Sequence, residues 1–391
     1  LNAASEKDDT MPENPINERV AFSNSICLAG KEWLCVALVA AALVAGAPSL
    51  WKYLEPFDPD PDYRIPHKLS NDYWLFERFA GVATSRYDAV ILGDSVVWGE
   101  YVLADETLSH YLNLDPATGK VERRFANLGL GGAHPLALAG LIEHYGASLA
   151  NTRVLLQCNP LWMSSLKSDL QDDRTDVNHP RLIPQFVPHI PAYPVPWFPD
   201  DPRDKQKISH RLGILVEQRV GFSKWTNHIQ QAYYDEPDVL EWVLRHPYKN
   251  PLTPLSSPLQ EDDGKRRHPP LPWNKTGKSK VDYDWIDLDT SLQWSAFRRA
   301  VETLQRRGNR VFVLVGPFNE NMLTPESLTR YRKTKGAVSA WLKERDIPHA
   351  VPDALPSHVY GDASHPLAAG YAQLARQLAD DPAFQRVIAG R

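Results

Sequence analysis

Ala89-Val90-Ile91-Leu92-Gly93-Asp94-Ser95-Val96-Val97-Trp98-Gly99 is the stretch on which the reading of this chain turns. Four apolar residues, three of them branched, suit a strand buried on both faces, and a small Gly lets the backbone turn sharply as it leaves that strand. Ser95 would then stand at the mouth of a helix, its backbone N–H facing outward. An ordinary strand-to-helix turn, with Asp94 or Ser95 as the helix cap, fits the same eleven residues.

Outward from this stretch, short apolar runs alternate with amphipathic segments, the pattern of a parallel sheet flanked by helices. Strands are expected at Ala89 to Leu92, Phe125 to Leu128, Arg153 to Gln157, Arg310 to Val315 and His349 to Val351. Helices are expected from Pro135 to about Leu149, Ser291 to Arg307, Glu326 to Arg345 and from Leu367 onward. Between Pro160 and about Asp289 the alternation is lost. That region is rich in Pro, Trp, His and charge, with one helix-like piece near Glu236 to Leu244 and an exposed loop over 260–281. It reads as a large irregular insertion bordering the site.

In open parallel sheets, chemistry collects at the carboxyl ends of the strands. The loop after the last strand carries Asp362-Ala363-Ser364-His365-Pro366, then Gly370-Tyr371. A serine hydroxyl needs a base at neutral pH, and the base needs a carboxylate to fix its tautomer and stabilise the imidazolium. Asp362 and His365 are spaced to form that pair, on a loop that reaches the same sheet edge as Ser95. His365 as a simple helix cap and Asp362 as a surface turn would be preferred if Ser95 were absent.

These blocks resemble the SGNH (GDSL-like) hydrolase family, in which a Gly-Asp-Ser block near the start and an Asp-x-x-His block near the end supply a triad. The resemblance covers about residues 86 to 160 and 290 to 385. It implies an α/β fold, a flavodoxin-like three-layer sandwich, with Ser95, Asp362 and His365 as catalytic residues. Asn127-Leu128-Gly129 is similar to the family's second block, which makes the Gly129 N–H an oxyanion donor beside that of Ser95. Gln157-Cys158-Asn159-Pro160 lies where the family carries Gly-x-Asn-Asp, and the resemblance gives Asn159 the third donor role; the flanking Gly and Asp are replaced here by Gln157 and Pro160. The Gly-x-Ser-x-Gly elbow of α/β-hydrolases is absent, because Val97 holds its last Gly position.

The N-terminal third adds a membrane element. Residues 33–54 include Trp33 to Leu50, about 18 residues without a charge, near the minimum for crossing a bilayer core, with Trp33, Trp51 and Tyr53 where interfacial aromatics belong. A cleaved signal peptide is the competing reading, since Ala45-Gly46-Ala47 has the form of a cleavage site, although Pro48 directly after it disfavours cutting. Residues 1–32 form a tail before this anchor. Charge does not orient it: Arg19 and Lys31 before it are matched by Arg64 and Lys68 after it. Residues 55–66 hold too many prolines for a helix and read as a stiff spacer to a catalytic domain over 67–391.

Composition bounds the function. The 391 residues are 43% hydrophobic, enough for a sizeable core, and a net charge of −5 offers no basic stripe for nucleic acid. Of three cysteines only Cys158 lies in the body of the chain, so no internal disulfide is expected there. The histidines at 179, 189, 210, 228, 246 and 268 lack metal-site spacing and read as packed or solvated. Trp162, Trp197, Trp225 and Trp242 could stack on sugars or simply pack. The expectation is therefore a membrane-anchored serine esterase or O-acyltransferase that needs no metal or organic cofactor. The family resemblance implies an acylated extracytoplasmic (periplasmic) polysaccharide as substrate, and a polytopic acyl-transferring membrane protein as partner. A lipid or small-ester hydrolase, or a catalytically idle scaffold that binds glycan or a membrane partner, are the alternatives.

Overall fold

The computed structural model describes residues 28–115, 117–172, 177–185, 202–234, 239–252, 259 and 271–389. The tail before residue 28, Trp197, His189, His268 and the first half of the expected 260–281 loop lie outside these. In chain order the elements are α1 (Gly30–Leu54), α2 (Tyr73–Arg86), β1 (Ala89–Gly93), α3 (Ser95–Trp98), α4 (Leu108–Asn113), β2 (Phe125–Gly129), α5 (Pro135–Tyr145) and β3 (Arg153–Cys158). There follow α6 (Pro202–Arg219), α7 (Gly221–Ile229), α8 (Val239–Arg245), α9 (Leu292–Arg306), β4 (Arg310–Val315), α10 (Pro325–Glu344), β5 (His349–Ala350) and α11 (Ala368–Asp380). The chain divides into two compact units at Gly46 and Ala47, and the second, the body, holds the sheet.

The sheet is parallel throughout, five strands in the order β2-β1-β3-β4-β5. All five residues of β1 are buried, which is why its sequence runs apolar without alternation. Its side chains part between the two faces. Val90 and Leu92 join a core with α2, α5, α9 and α10, whereas Ala89 and Ile91 join another with α4 and α11. The order reverses between β1 and β3, so the crevice at their carboxyl ends lies between Ser95 and Asn159.

Caps place the helices where the sequence marks them. Pro135 opens α5 after the His134 cap, the Ser291 hydroxyl accepts from Trp294 N–H at the start of α9, and Thr324 with Pro325 starts α10. Four of these helices carry no sequence expectation: α2, α4, α6 and α7. In α2, Tyr73-Trp74-Leu75-Phe76 is a bulky apolar run that suits strand as well as helix; the Asp72 side chain, capping Leu75 N–H at 2.9 Å, decides it.

Residues 55–66 are irregular, as their prolines require, yet they do not stand off from the domain. Glu55, Arg64 and Ile65 are buried. The Arg64 guanidinium donates to the carbonyls of Trp98, Gly99 and Val102 and stacks over Trp98 at 4.0 Å, so this stretch is clamped against the turn that follows Ser95. The expected spacer is part of the body. Helix α1 is long and apolar enough to cross a membrane.

Candidate active site

Ser95 enters from the first carboxyl edge. Its position is fixed from both sides. Asp94 caps α3 by accepting from Val96 N–H at 2.9 Å, and Gly99 closes the turn at φ 92°, a left-handed conformation that favours glycine. Gly93 is required for a different reason than a free turn: a Cβ there would lie 2.4 Å from Val97 and 2.5 Å from the Gln157 side chain.

His365 and Asp362 enter from the loop after β5. A short antiparallel bridge, Tyr360 with Pro366, and the bonds Gly361 N–H to His365 O and Leu367 N–H to Val359 O fold it into a tight turn. Asn319, in the loop after β4, donates its N–H to Ala363 O at 2.8 Å and holds the turn from behind. The Tyr371 hydroxyl on α11 donates to Val96 O at 2.6 Å, which ties the helix after His365 to the helix that carries Ser95.

The three side chains come together in one hydrogen-bonded line. Ser95 Oγ lies 2.7 Å from His365 Nε2, and His365 Nδ1 lies 2.8 and 2.9 Å from the two Asp362 oxygens. Asp362 Oδ1 also accepts from the N–H groups of Ser364 and His365. Burial alone would raise the Asp362 pKa; the His365 charge and these hydrogen bonds outweigh it and bring the carboxyl down to about 2. Burial would lower that of His365, but the Asp362 carboxylate prevails and holds it above its ordinary value. The pair therefore has an ionised carboxylate facing an imidazole that readily accepts a proton from Ser95.

The proposed oxyanion donors are placed less simply. The Gly129 N–H donates to Asn127 Oδ1 at 3.0 Å, and a Cβ on Gly129 would lie 2.3 Å from Trp98 N. In this arrangement Gly129 is the residue that lets β2 approach α3 closely, and its N–H is already engaged. Asn159 is buried at the end of β3. Its Oδ1 accepts from Leu161 N–H at 3.1 Å and its Nδ2 donates to Asp94 Oδ2 at 2.8 Å, which leaves one amide hydrogen for another acceptor.

Three further residues belong to this site, and the sequence alone assigns none of them a place in it. Asp94 gathers Asn159, the Trp162 indole N–H at 2.7 Å and Val96 N–H, so it orients the floor as well as capping α3. Trp162, expected to stack or to pack, is thereby tied to the Ser95 turn. Tyr101 donates to Asp362 Oδ2 and sets its ring edge-on to His365 at 5.4 Å between centroids. No signal in the sequence marks Tyr101, because its partner lies 261 residues away. Among the described residues no cluster of ligands could hold a metal ion.

Of the insertion histidines, His179 and His228 pack internally. His179 bridges Tyr73 and Gly131 O, and His228 is fully buried between Asp72 and Glu55. Comparison of the chain with protein-family models and with curated proteins returned no match.

Proposed function

We propose that this chain is a membrane-anchored, serine-dependent acyl-ester enzyme of SGNH type, acting on O-acetyl groups of an extracytoplasmic polysaccharide. The observation that carries the reading is the line Ser95 Oγ, His365 Nε2, His365 Nδ1, Asp362, at hydrogen-bond distance throughout. The strand order β2-β1-β3-β4-β5 is that of flavodoxin-like folds, with cores on both faces of the sheet, which suits a three-layer sandwich.

Ser95 Oγ attacks the ester carbonyl while its proton passes to His365 Nε2; Asp362 holds the ring and stabilises the imidazolium. The proton then goes to the departing alkoxide oxygen, leaving an acyl group on Ser95. Water or a sugar hydroxyl next attacks that acyl group and gives its proton to His365, which restores Ser95. The Ser95 N–H and the remaining Asn159 amide hydrogen are the donors for the tetrahedral oxyanion, and Gly129 joins them only where Asn127 releases its N–H. No step calls for a metal or organic cofactor. Polysaccharide as acceptor, and a polytopic membrane protein as acyl supplier, rest on the family resemblance.

The test is to label the full chain with a serine-reactive fluorophosphonate, then to supply an activated acetyl ester with and without acetylatable glycans. Labelling lost in Ser95→Ala, with acetylated glycan found by mass spectrometry, supports transfer. Free acetate alone at an unchanged rate leaves an esterase. Equal labelling of Ser95→Ala removes the assignment.

A further inference from the structure

The body exposes its large apolar residues unevenly. Beyond α1, eleven of the described residues are large, hydrophobic and exposed, and eight of these fall between positions 208 and 248. Ile208, Leu212, Val216 and Val220 recur every four residues along α6 and its end; Leu212 and Val216 are 52% and 50% exposed. Leu240, Val243 and Leu244 stand out from α8, Leu244 at 71%, with Tyr248 beyond them. Exposed apolar rows of this kind mark a contact surface.

Both patches connect to one point. Val220 leads into α7, where the ring of Phe222 meets that of Trp225 at 5.3 Å, and Trp225 meets Trp51 at 6.0 Å. From the other side, Trp242 on α8 meets Tyr234 edge-on at 5.1 Å, and the neighbouring Tyr233 meets Trp51 at 5.7 Å. Trp51 belongs to the body and directly follows the apolar run of α1. Where that run crosses a bilayer, Trp51 lies at the headgroup level, and whatever packs on Trp51 lies there too. By sequence α6 carries five basic residues against Asp204 and Glu217; Arg211 is buried and Arg219 is exposed, and the net positive charge of the segment suits anionic headgroups.

We infer that the face formed by α6, the start of α7 and α8 rests on the lipid surface, its apolar side chains entering the boundary between headgroups and acyl chains around the anchor. The occupant is the bilayer itself. An exposed apolar row on a helix of net positive sequence, linked through aromatic rings to Trp51 beside the apolar run of α1, matches an interfacial helix better than a protein groove. The contact would hold the body in one orientation on the membrane, with Ser95 at a fixed height, where a tether alone would let it swing.

The inference rests on reading α1 as a membrane anchor, and the experiment separates the two. Full chain carrying one environment-sensitive probe is reconstituted into vesicles of phosphatidylcholine and phosphatidylglycerol, with and without spin-labelled lipid. Probes are placed at native Cys35, at Val216→Cys, at Leu244→Cys and at Asp380→Cys on α11, across the sheet, with the other exposed thiols replaced by Ser. Quenching by spin-labelled lipid at Cys35, Val216→Cys and Leu244→Cys, but not at Asp380→Cys, is the expected result. Quenching at Cys35 alone overturns the lipid-facing surface and leaves the anchor intact, as it would if a partner protein covered this face. No quenching at Cys35 overturns the anchor and this inference with it.

Discussion

The Tyr101 hydroxyl donates to Asp362 Oδ2 at 2.9 Å, one of the two carboxylate oxygens that face His365 Nδ1. Burial and the Asp362 charge hold the phenol well above its ordinary pKa, so it remains a donor throughout the working range. Gly361 makes room for it: a Cβ there would lie 2.6 Å from the Tyr101 ring.

Tyr101→Phe keeps the ring and removes one donor from the carboxylate. Asp362 becomes the stronger base, so His365 holds its proton more tightly and the acidic limb of the rate profile moves to higher pH. A hydrogen bond worth about 1.5 kcal/mol, felt wholly in the transition state, costs about tenfold in kcat. A limb that stays in place would make Tyr101 a packing residue only.

Ser95→Ala and His365→Ala each lower turnover by about 10⁴-fold, and the double variant is scarcely worse than either, because the residues act as a unit. Circular dichroism should be unchanged. Multiplicative losses in the double variant would speak against a shared proton path.

Because Asp362 holds His365 above its ordinary pKa of 6.5, the imidazole is charged at mildly acid pH and cannot accept the Ser95 proton. kcat/KM should therefore rise with pH through an inflection above 6.5 and then level off. Asp362→Asn should move that inflection downward. An inflection below 6.5 in the parent protein would contradict the geometry.

For Asn159 the expectation is a fall in kcat of roughly 10²-fold to 10³-fold in Asn159→Ala, with KM little changed, as befits a donor used chiefly in the transition state. Its bond to Asp94 gives an internal control. Asp94→Asn should release Asn159 and Trp162 together, so a loss in Asn159→Ala larger than in Asp94→Asn would locate the effect in the amide hydrogen itself.

The buried group His228, Glu55 and Asp72 makes stability depend on pH. Burial opposes the charge on His228, but Asp72 and Glu55 prevail and raise its pKa to about 9. Its contribution is complete below the ordinary value of 6.5 and is lost as pH rises through about 9. Glu55 is lowered despite burial, through His228, so its share is lost as pH falls below the ordinary 4.5. Thermal unfolding of the detergent-solubilised chain should show a fall in Tm between pH 7 and 10 that His228→Gln abolishes. Equal slopes in both would remove this network from the account.

The parallel sheet is legible because central strands must be apolar on both faces, and the five runs say so directly. Ser95, Asp362 and His365 are legible because their chemistry dictates residue types and their positions fall at strand ends. Other features escape for physical reasons. Gly129 reads equally as a donor or as a place where two backbones approach, and only the 2.3 Å clearance to Trp98 N separates them. Asp94 looks like a helix cap, and is one, but its second oxygen meets Asn159 and Trp162 from 65 and 68 positions away. Helices α6 and α7 lie in a stretch where prolines obscure the periodicity.

The bond from the Tyr371 hydroxyl to Val96 O joins positions 275 apart, and Ser95 meets His365 across 270. A ribosome making this chain completes nearly all the described strands and helices of the body before His365 arrives, and closing so long a loop is slow compared with local folding. Ser95 therefore spends most of synthesis without an imidazole beside it. The contact between Ser95 and His365 forms last, when α11 docks, so an incomplete chain lacks the hydrogen-bonded line altogether.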